Sequence, residues 1–263
     1  MMISPPMLEP VLGGGTIHTG GPTLLSVGTP VERDDSTSSL VYLPLPPTYS
    51  TGDLLVAICM VAPQSGGPSP PMFQPFPGGY YTALQLGQSF IIDTVFGDFI
   101  CNISGRIATS DANDGLVGLS GQPRCRFGQI AAFDGMPGSL TSITDRNGNT
   151  EHTATTELES DTILNALGTD TLGILASQRL GKTDGSDDSV VISAPPQGPL
   201  AMETIHTVNI PSTFTVGNLI GGWCYASRGE TDARAGDIWT SGGYSSSEKT
   251  LSTWTSLKAS GYS

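Results

Sequence analysis

Chemistry in this chain would have to start from three histidines, four cysteines and a set of carboxylates placed in Gly- and Ser-rich stretches. A nucleophile–base pair needs an imidazole, and His18, His152 and His206 are the available ones. His18 lies in "GGGTIHTGG", His152 follows the turn-like "DRNGN", and His206 sits in the alternating segment "METIHTVNI". Alternation predicts a strand-surface position for His206, on one face with its Glu and Asn neighbours. No G-x-S-x-G nucleophile elbow and no H-E-x-x-H zinc motif is present. A Ser-His-Asp hydrolase would need its parts gathered from distant strands. The sequence therefore assigns no catalytic residue.

Paired carboxylates are the other route to bond cleavage, through acid–base work on a glycosidic bond. Here Asp111 and Asp114 lie in "SDANDG", Asp145 in "DRNGN", and Asp184, Asp187 and Asp188 in "TDGSDD". In such surroundings short acidic side chains bond their own backbone and shape turns. Calcium would take several oxygens from one short loop, and "DRNGN" echoes that pattern but stops short of the terminal acidic ligand. No metal site and no cofactor are expected. Cys59, Cys101, Cys125 and Cys224 show no C-x-x-C spacing, and each lies in or beside an apolar run. They read as buried free thiols rather than zinc ligands. Spacing alone leaves disulfide pairing open.

Aromatic rings could form a platform for sugar, with Trp223, Trp239, Trp254, Tyr80, Tyr81 and Tyr244 as candidates. Trp223 follows "NLIGG" and reads as core. Trp239, Tyr244 and Trp254, in "GDIWTSGGYSSS" and "LSTWTSLKAS", are the candidate contacts with a glycan or partner. The alternative is packing inside the fold.

The elements that must position these groups are strands. "STGDLLVAICMVAP", residues 50 to 63, holds nine consecutive apolar residues from Leu54 to Ala62. A membrane-spanning helix needs about 20. Gly52 and Asp53 open the run and Pro63 closes it, so it reads as a strand covered on both faces. Further short apolar runs follow, among them "DFICNISGRIAT", "RCRFGQIAAF", "TLGILASQ" and "TFTVGNLIGGWCYAS", separated by turn clusters. The 34 glycines and 20 prolines fit frequent turns. Strands spaced by about 8 to 12 residues predict a sandwich or barrel. One stretch, "TELESDTILNAL", suits a helical turn, or equally a loop leading into a strand.

There is also an internal echo. "TGDLLVAICMVA" followed by "RCRFGQIAAFDG" is answered by "GTDTLGILASQR" followed by "GNLIGGWCYASRG", with Asp53 and Asp170 opening the apolar strands. Two related halves are what a jelly roll built from paired Greek keys would show. The expected fold is an all-β, jelly-roll-like antiparallel β-sandwich over residues 23–263, with an extended N-terminal arm over residues 1–22. That arm, "MMISPPMLEPVLGGGTIHTGGP", has no basic n-region or continuous apolar core, so it does not read as a secretion signal. Its prolines and glycines exclude a helix or strand pattern, yet it keeps Met7, Leu8, Val11 and Leu12. Those four are the candidate assembly contacts of an arm lying on a neighbouring subunit; a disordered tail is the other reading of the segment.

The net charge of −13, from 24 acidic and 11 basic residues, argues against nucleic acid or an anionic membrane as partner. Arg124 and Arg126, on either side of Cys125, read as a solvated strand face rather than a phosphate site.

In order, "DDSTSSLVYLPLPP", "TGDLLVAICMV", "PFPGGYY", "GRIATSDANDG", "RFGQIAAFDGMPG", "TDTLGILASQR" and "LIGGWCYAS" resemble a family of β-sandwich proteins common among virion genes of tailed bacteriophages. In that family a G-D-L-L-(V/L)-A strand, a P-x-G-W turn and an A-x-x-A-(F/Y)-x-G strand recur in this order. The resemblance spans residues 23 to 260. The chain departs from it at the P-x-G-W turn, where Tyr80 and Tyr81 follow Gly79. The resemblance implies a non-enzymatic structural or adhesive role in the virion, as a tail tip, fibre or capsid-decoration protein. Partners would be other virion proteins and further copies of the chain in a homo-oligomer. Two other readings compete with it. A carbohydrate- or receptor-binding module would use host surface glycan through Trp239, Tyr244 and Trp254, and a polysaccharide-degrading enzyme would use the carboxylates.

Overall fold

The computed structural model describes residues 22–34, 41–63, 73–75, 84–91, 99–109, 117–119, 123–136, 143–153, 157–160, 171–182, 192–193, 203–211, 217–228, 239–242 and 249–259. Among the described residues there is no helix; all regular structure is strand. None of them forms a helix long and apolar enough to cross a membrane.

The first nine strands are β1 (Thr23–Val27), β2 (Val31–Asp34), β3 (Val41–Tyr42), β4 (Leu54–Pro63), β5 (Phe73–Pro75), β6 (Leu84–Ile91), β7 (Phe99–Ile107), β8 (Val117–Leu119) and β9 (Pro123–Asp134). The next eight are β10 (Ile143–Thr153), β11 (Glu157–Ser160), β12 (Thr171–Lys182), β13 (Ile192–Ser193), β14 (Glu203–Ile210), β15 (Gly217–Arg228), β16 (Trp239–Gly242) and β17 (Lys249–Ala259). They form two large sheets, β1-β9-β4-β7-β6 (with β2 also on β9) and β10-β17-β12-β15-β14. Two small sheets, β3-β8-β5 and β11-β16-β13, complete the set. Every pairing in the large sheets is antiparallel. The expected all-β, jelly-roll-like antiparallel sandwich is the observed fold class.

The two large sheets pack face to face. Side chains alternate across a strand, so β4 sends Leu54, Val56, Ile58 and Met60 into the seam between the sheets. There they meet Leu172, Ile174 and Ala176 of β12, Val208 and Ile210 of β14, Trp223 and Tyr225 of β15 and Leu257 of β17. The other face of β4 carries Leu55, Ala57, Cys59 and Val61 into a second core with Leu43, Ile130 and Ala132. All eight of these β4 side chains are buried, each fully buried large one contributing about 1.5–3 kcal/mol. This is the doubly covered strand that the unbroken apolar run predicts. Its entry is a tight turn. Asp53 N–H donates to the Ser50 carbonyl, and Ser50 N–H donates to Asp53 Oδ2 at 2.6 Å. Gly52 between them has φ 101°, a conformation open to glycine.

Leu43 packs directly on Gly128 of β9, where an added Cβ would lie 2.5 Å from Leu43 Cδ2. The absence of a side chain there lets the 41–50 segment lie flat on the outer face of the first large sheet.

Two local expectations need correction, and part of a stretch left open is decided. "DRNGN" is no turn: Asp145 to Asn149 run inside β10, in unbroken register with β17, and His152 pairs with Thr250. An eleven-residue ladder overrides local turn chemistry, and it spreads the oxygen-bearing residues along a strand instead of curling them round a cation. Arg126 does not lie on a solvated face; it is fully buried on β9. "ELES" of the helix-compatible stretch is β11.

Candidate functional site

One set of polar side chains converges in the seam, brought there by strands distant in sequence, while on the other face of β7 Ser104 Oγ donates to Asn102 Oδ1 at 2.8 Å. Gln129 on β9 is a polar residue within an apolar run, and it is almost fully buried. A buried amide must find partners or cost about 1–3 kcal/mol. Gln129 finds two. Its Oε1 accepts the indole N–H of Trp223 at 2.9 Å, and its Nε2 donates to the Gly28 carbonyl at 2.9 Å. One side chain thus ties β15 of the opposite sheet to the link between β1 and β2 in its own sheet.

Toward the rim, Phe127 of β9 stacks on the His206 ring with centroids 5.3 Å apart and planes within 6°. His206 Nε2 lies 3.2 Å from Glu32 Oε1 on β2. Period-two alternation places His206 outward, but the register of β14 against β15 shifts between Thr204 and His206. Such a bulge turns every later side chain to the other face. His206, Val208 and Ile210 therefore face the seam, and the expected strand-surface position is overturned.

Beside this pair, Tyr225 OH donates to Glu203 Oε2 at 2.6 Å. Its ring meets Phe133 edge-on, with centroids 5.4 Å apart. Burial first, then the bond to Glu203 and that carboxylate's charge, push the Tyr225 phenol well above its usual range. It stays a protonated donor. At the other end of the seam, Gln178 of β12 is fully buried, and among the described residues neither its Nε2 nor its Oε1 has a hydrogen-bond partner.

Chemically, the arrangement binds sheet to sheet. The carboxylate at His206 can orient the imidazole, while Phe127 covers one ring face. The Tyr225 hydroxyl is committed to Glu203. Cys59, Cys101 and Cys224 are buried and free, as expected for three of the four cysteines. Burial raises all three thiols, Cys101 to about 12, so they are poor nucleophiles.

The other candidates are not brought into this cluster. Trp239 opens β16, paired with Ser160, in a small sheet. Trp254 lies on β17, in register with Gly148 and Leu175, in a large one. The side chains of both fall outside the described residues, as does the Cys125 side chain. Met7, Leu8, Val11, Leu12, His18, Tyr80, Tyr81, Asp111, Asp114, Asp184, Asp187, Asp188 and Tyr244 also lie outside them. Trp223 is the core residue that its apolar context predicts. The sequence reading missed Gln129, Glu32 and the Tyr225–Glu203 pair. Only Gln129 carried a signal, a lone amide in "RFGQIAAF" that had to be satisfied.

Comparison of the chain with protein-family models, with curated proteins and with solved structures finds no match in any of the three.

Proposed function

We propose that this chain is a non-enzymatic structural protein of a tailed-bacteriophage particle. It would be displayed on the surface as a tail-tip, fibre or capsid-decoration component, and assembled through its N-terminal arm and sheet edges. The observation that carries this reading is where the residues of the family resemblance sit. Gly52 and Asp53 make the turn into β4, Leu54 to Ala57 form its doubly buried start, and Ala131 to Gly135 end β9 with Asp134 Oδ1 accepting the Gly135 N–H. The motif residues of β4 and β9 build the cores on the two faces of the first large sheet.

The edges support the assembly part of the reading. An exposed strand edge is a template for another chain, and bulges or short length blunt it. β1, β6 and β14 each carry a register shift, and β2 is four residues long. β10 has eleven consecutive pairs with β17 and no shift. Among the described residues it pairs with β17 alone. Strand addition there would supply main-chain hydrogen bonds. Many copies on one particle would make weak single contacts effective together.

Mass spectrometry of purified particles encoded by the genome that carries this chain should find it in the virion, and its absence there would remove the reading. In full-length chain, Leu8→Asp with Leu12→Asp should sharply lower incorporation into particles. Normal incorporation of that variant would take the anchoring role from the arm while leaving the virion assignment intact.

A further inference from the structure

The two sets of strands follow one plan. With β2 set aside, number the strands of the first set one to eight. The large sheet then reads 1-8-3-6-5 and the small sheet 2-7-4. The strands β10 to β17, numbered in the same way, give the same orders in both sheets. Details coincide as well as order. The fifth strands, β6 and β14, are both eight residues long, and each shifts register around its third residue, Leu86 in one and Ile205 in the other.

Matching those two shifts fixes the rest by pairing. Ile103 then corresponds to Trp223, Leu54 to Leu172 and Phe133 to Leu257, and all of them face the seam. The sequence echo between β4 and β12 is therefore real but one residue out of step: Asp53 matches Thr171, not Asp170. β9 is answered by β17, and β15 answers β7.

Contacts across the seam exchange in the same way. β2 meets β14 on one side, and on the other β10 meets β6. Gln129 on β9 bonds Trp223 on β15. Thr253, its counterpart on β17, bonds Cys101 on β7, two residues from Ile103, so the exchange is of strands. Reciprocal contacts of this kind define an isologous interface, the arrangement of a two-fold dimer.

We infer that the chain is a covalently joined dimer of one eight-strand unit, and that the seam is an interaction surface whose partner is a second copy of that unit. The jelly-roll order is completed within each half, between a large sheet and its own small sheet. Each half then uses the outer face of its large sheet, as seen from its small one, to recognise the other. This holds whatever particle the chain belongs to.

The test cuts the whole protein between the halves. A protease site placed between Gly138 and Ser139 of the full-length chain is cleaved after folding. The two fragments should stay together as a 1:1 complex in native buffer, separate in urea and rejoin on dilution. Their unfolding midpoint should become concentration-dependent, as for a dimer. Gln129→Leu should weaken reassociation about tenfold by leaving the Trp223 indole N–H without its acceptor in the other half. Tyr42→Ala, far from the seam, should leave it unchanged. Fragments that part without denaturant, or that fail to rejoin under conditions where the uncut chain refolds, would overturn the inference. So would a cut protein whose midpoint ignores concentration. A full-length chain with the halves in swapped order, 139–263 before 1–138, should give the same near-ultraviolet circular dichroism, and an unfolded product would count against it.

Discussion

β4 and β12 occupy the same place in the two halves, yet they fill it differently. β4 presents Leu54, Val56, Ile58 and Met60 to the seam; at the matching positions β12 presents Leu172, Ile174, Ala176 and Gln178. Two of the four positions have become smaller or polar. On the opposing strands the second half adds Trp223 where the first has Ile103, and the first half adds Gln129 where the second has Thr253. The strand plan is shared, while volume and hydrogen bonding have been redistributed across the seam. Fold in such a unit depends on alternation and pairing, whereas specificity of the contact depends on a few large or polar side chains.

The largest effect should come from Trp223→Ala. It empties the seam's largest buried side chain and strands the Gln129 carbonyl, and should cost about 3–5 kcal/mol in urea unfolding. A cost below about 1 kcal/mol would mean that the seam is not closed around this ring. Ile58→Ala, which makes β4 resemble β12 at that position, should cost about 2–4 kcal/mol.

Gln178→Met makes β12 resemble β4 instead. The buried amide has no partner among the described residues, so replacing it with a side chain of similar volume should stabilise the protein by about 1–2 kcal/mol. Loss of stability in that variant would contradict the matching of Gln178 with Met60.

The buried thiols give a pH signature. Cys101 is raised from its ordinary value to about 12 by burial, with Cys59 and Cys224 raised in the same direction. A raised folded-state value means that the unfolded chain loses its proton first. Their contribution is complete below the unfolded thiol value of about 8.5 and is lost as pH climbs from there toward the folded values. Unfolding midpoints should hold up to that pH and fall above it, and Cys101→Ala should flatten part of the fall. The smallest effect belongs to the half-exposed rim: Glu32→Gln should change stability by about 0.2–1 kcal/mol, since both partners are open to solvent screening.

Much of this framework was legible in the residues. The run from Leu54 to Ala62 could only be a strand covered twice, and Gly52-Asp53 announced its turn. Trp223 and three of the cysteines went where their apolar neighbours pointed. The site was harder to read, because single insertions and long-range ladders decide it. Ile205 adds one residue to β14 and reverses the face of His206. β17 holds "DRNGN" straight although Asp145, Asn147, Gly148 and Asn149 favour a turn. Arg126 looks solvated in a local window, and only the three-dimensional layering buries it. Glu32 carries no signal until β2 meets β14, and Glu203 none until β14 pairs with β15.

Hydrogen exchange followed by mass spectrometry tests the face-to-face packing of the two large sheets most directly, since amides in a shared core open only with the whole core. Peptides from β4, β9, β12 and β15 should exchange slowest and at one common rate, in both halves of the chain. Rapid exchange through β12 and β15 while β4 and β9 stay protected would show that the halves do not share a seam.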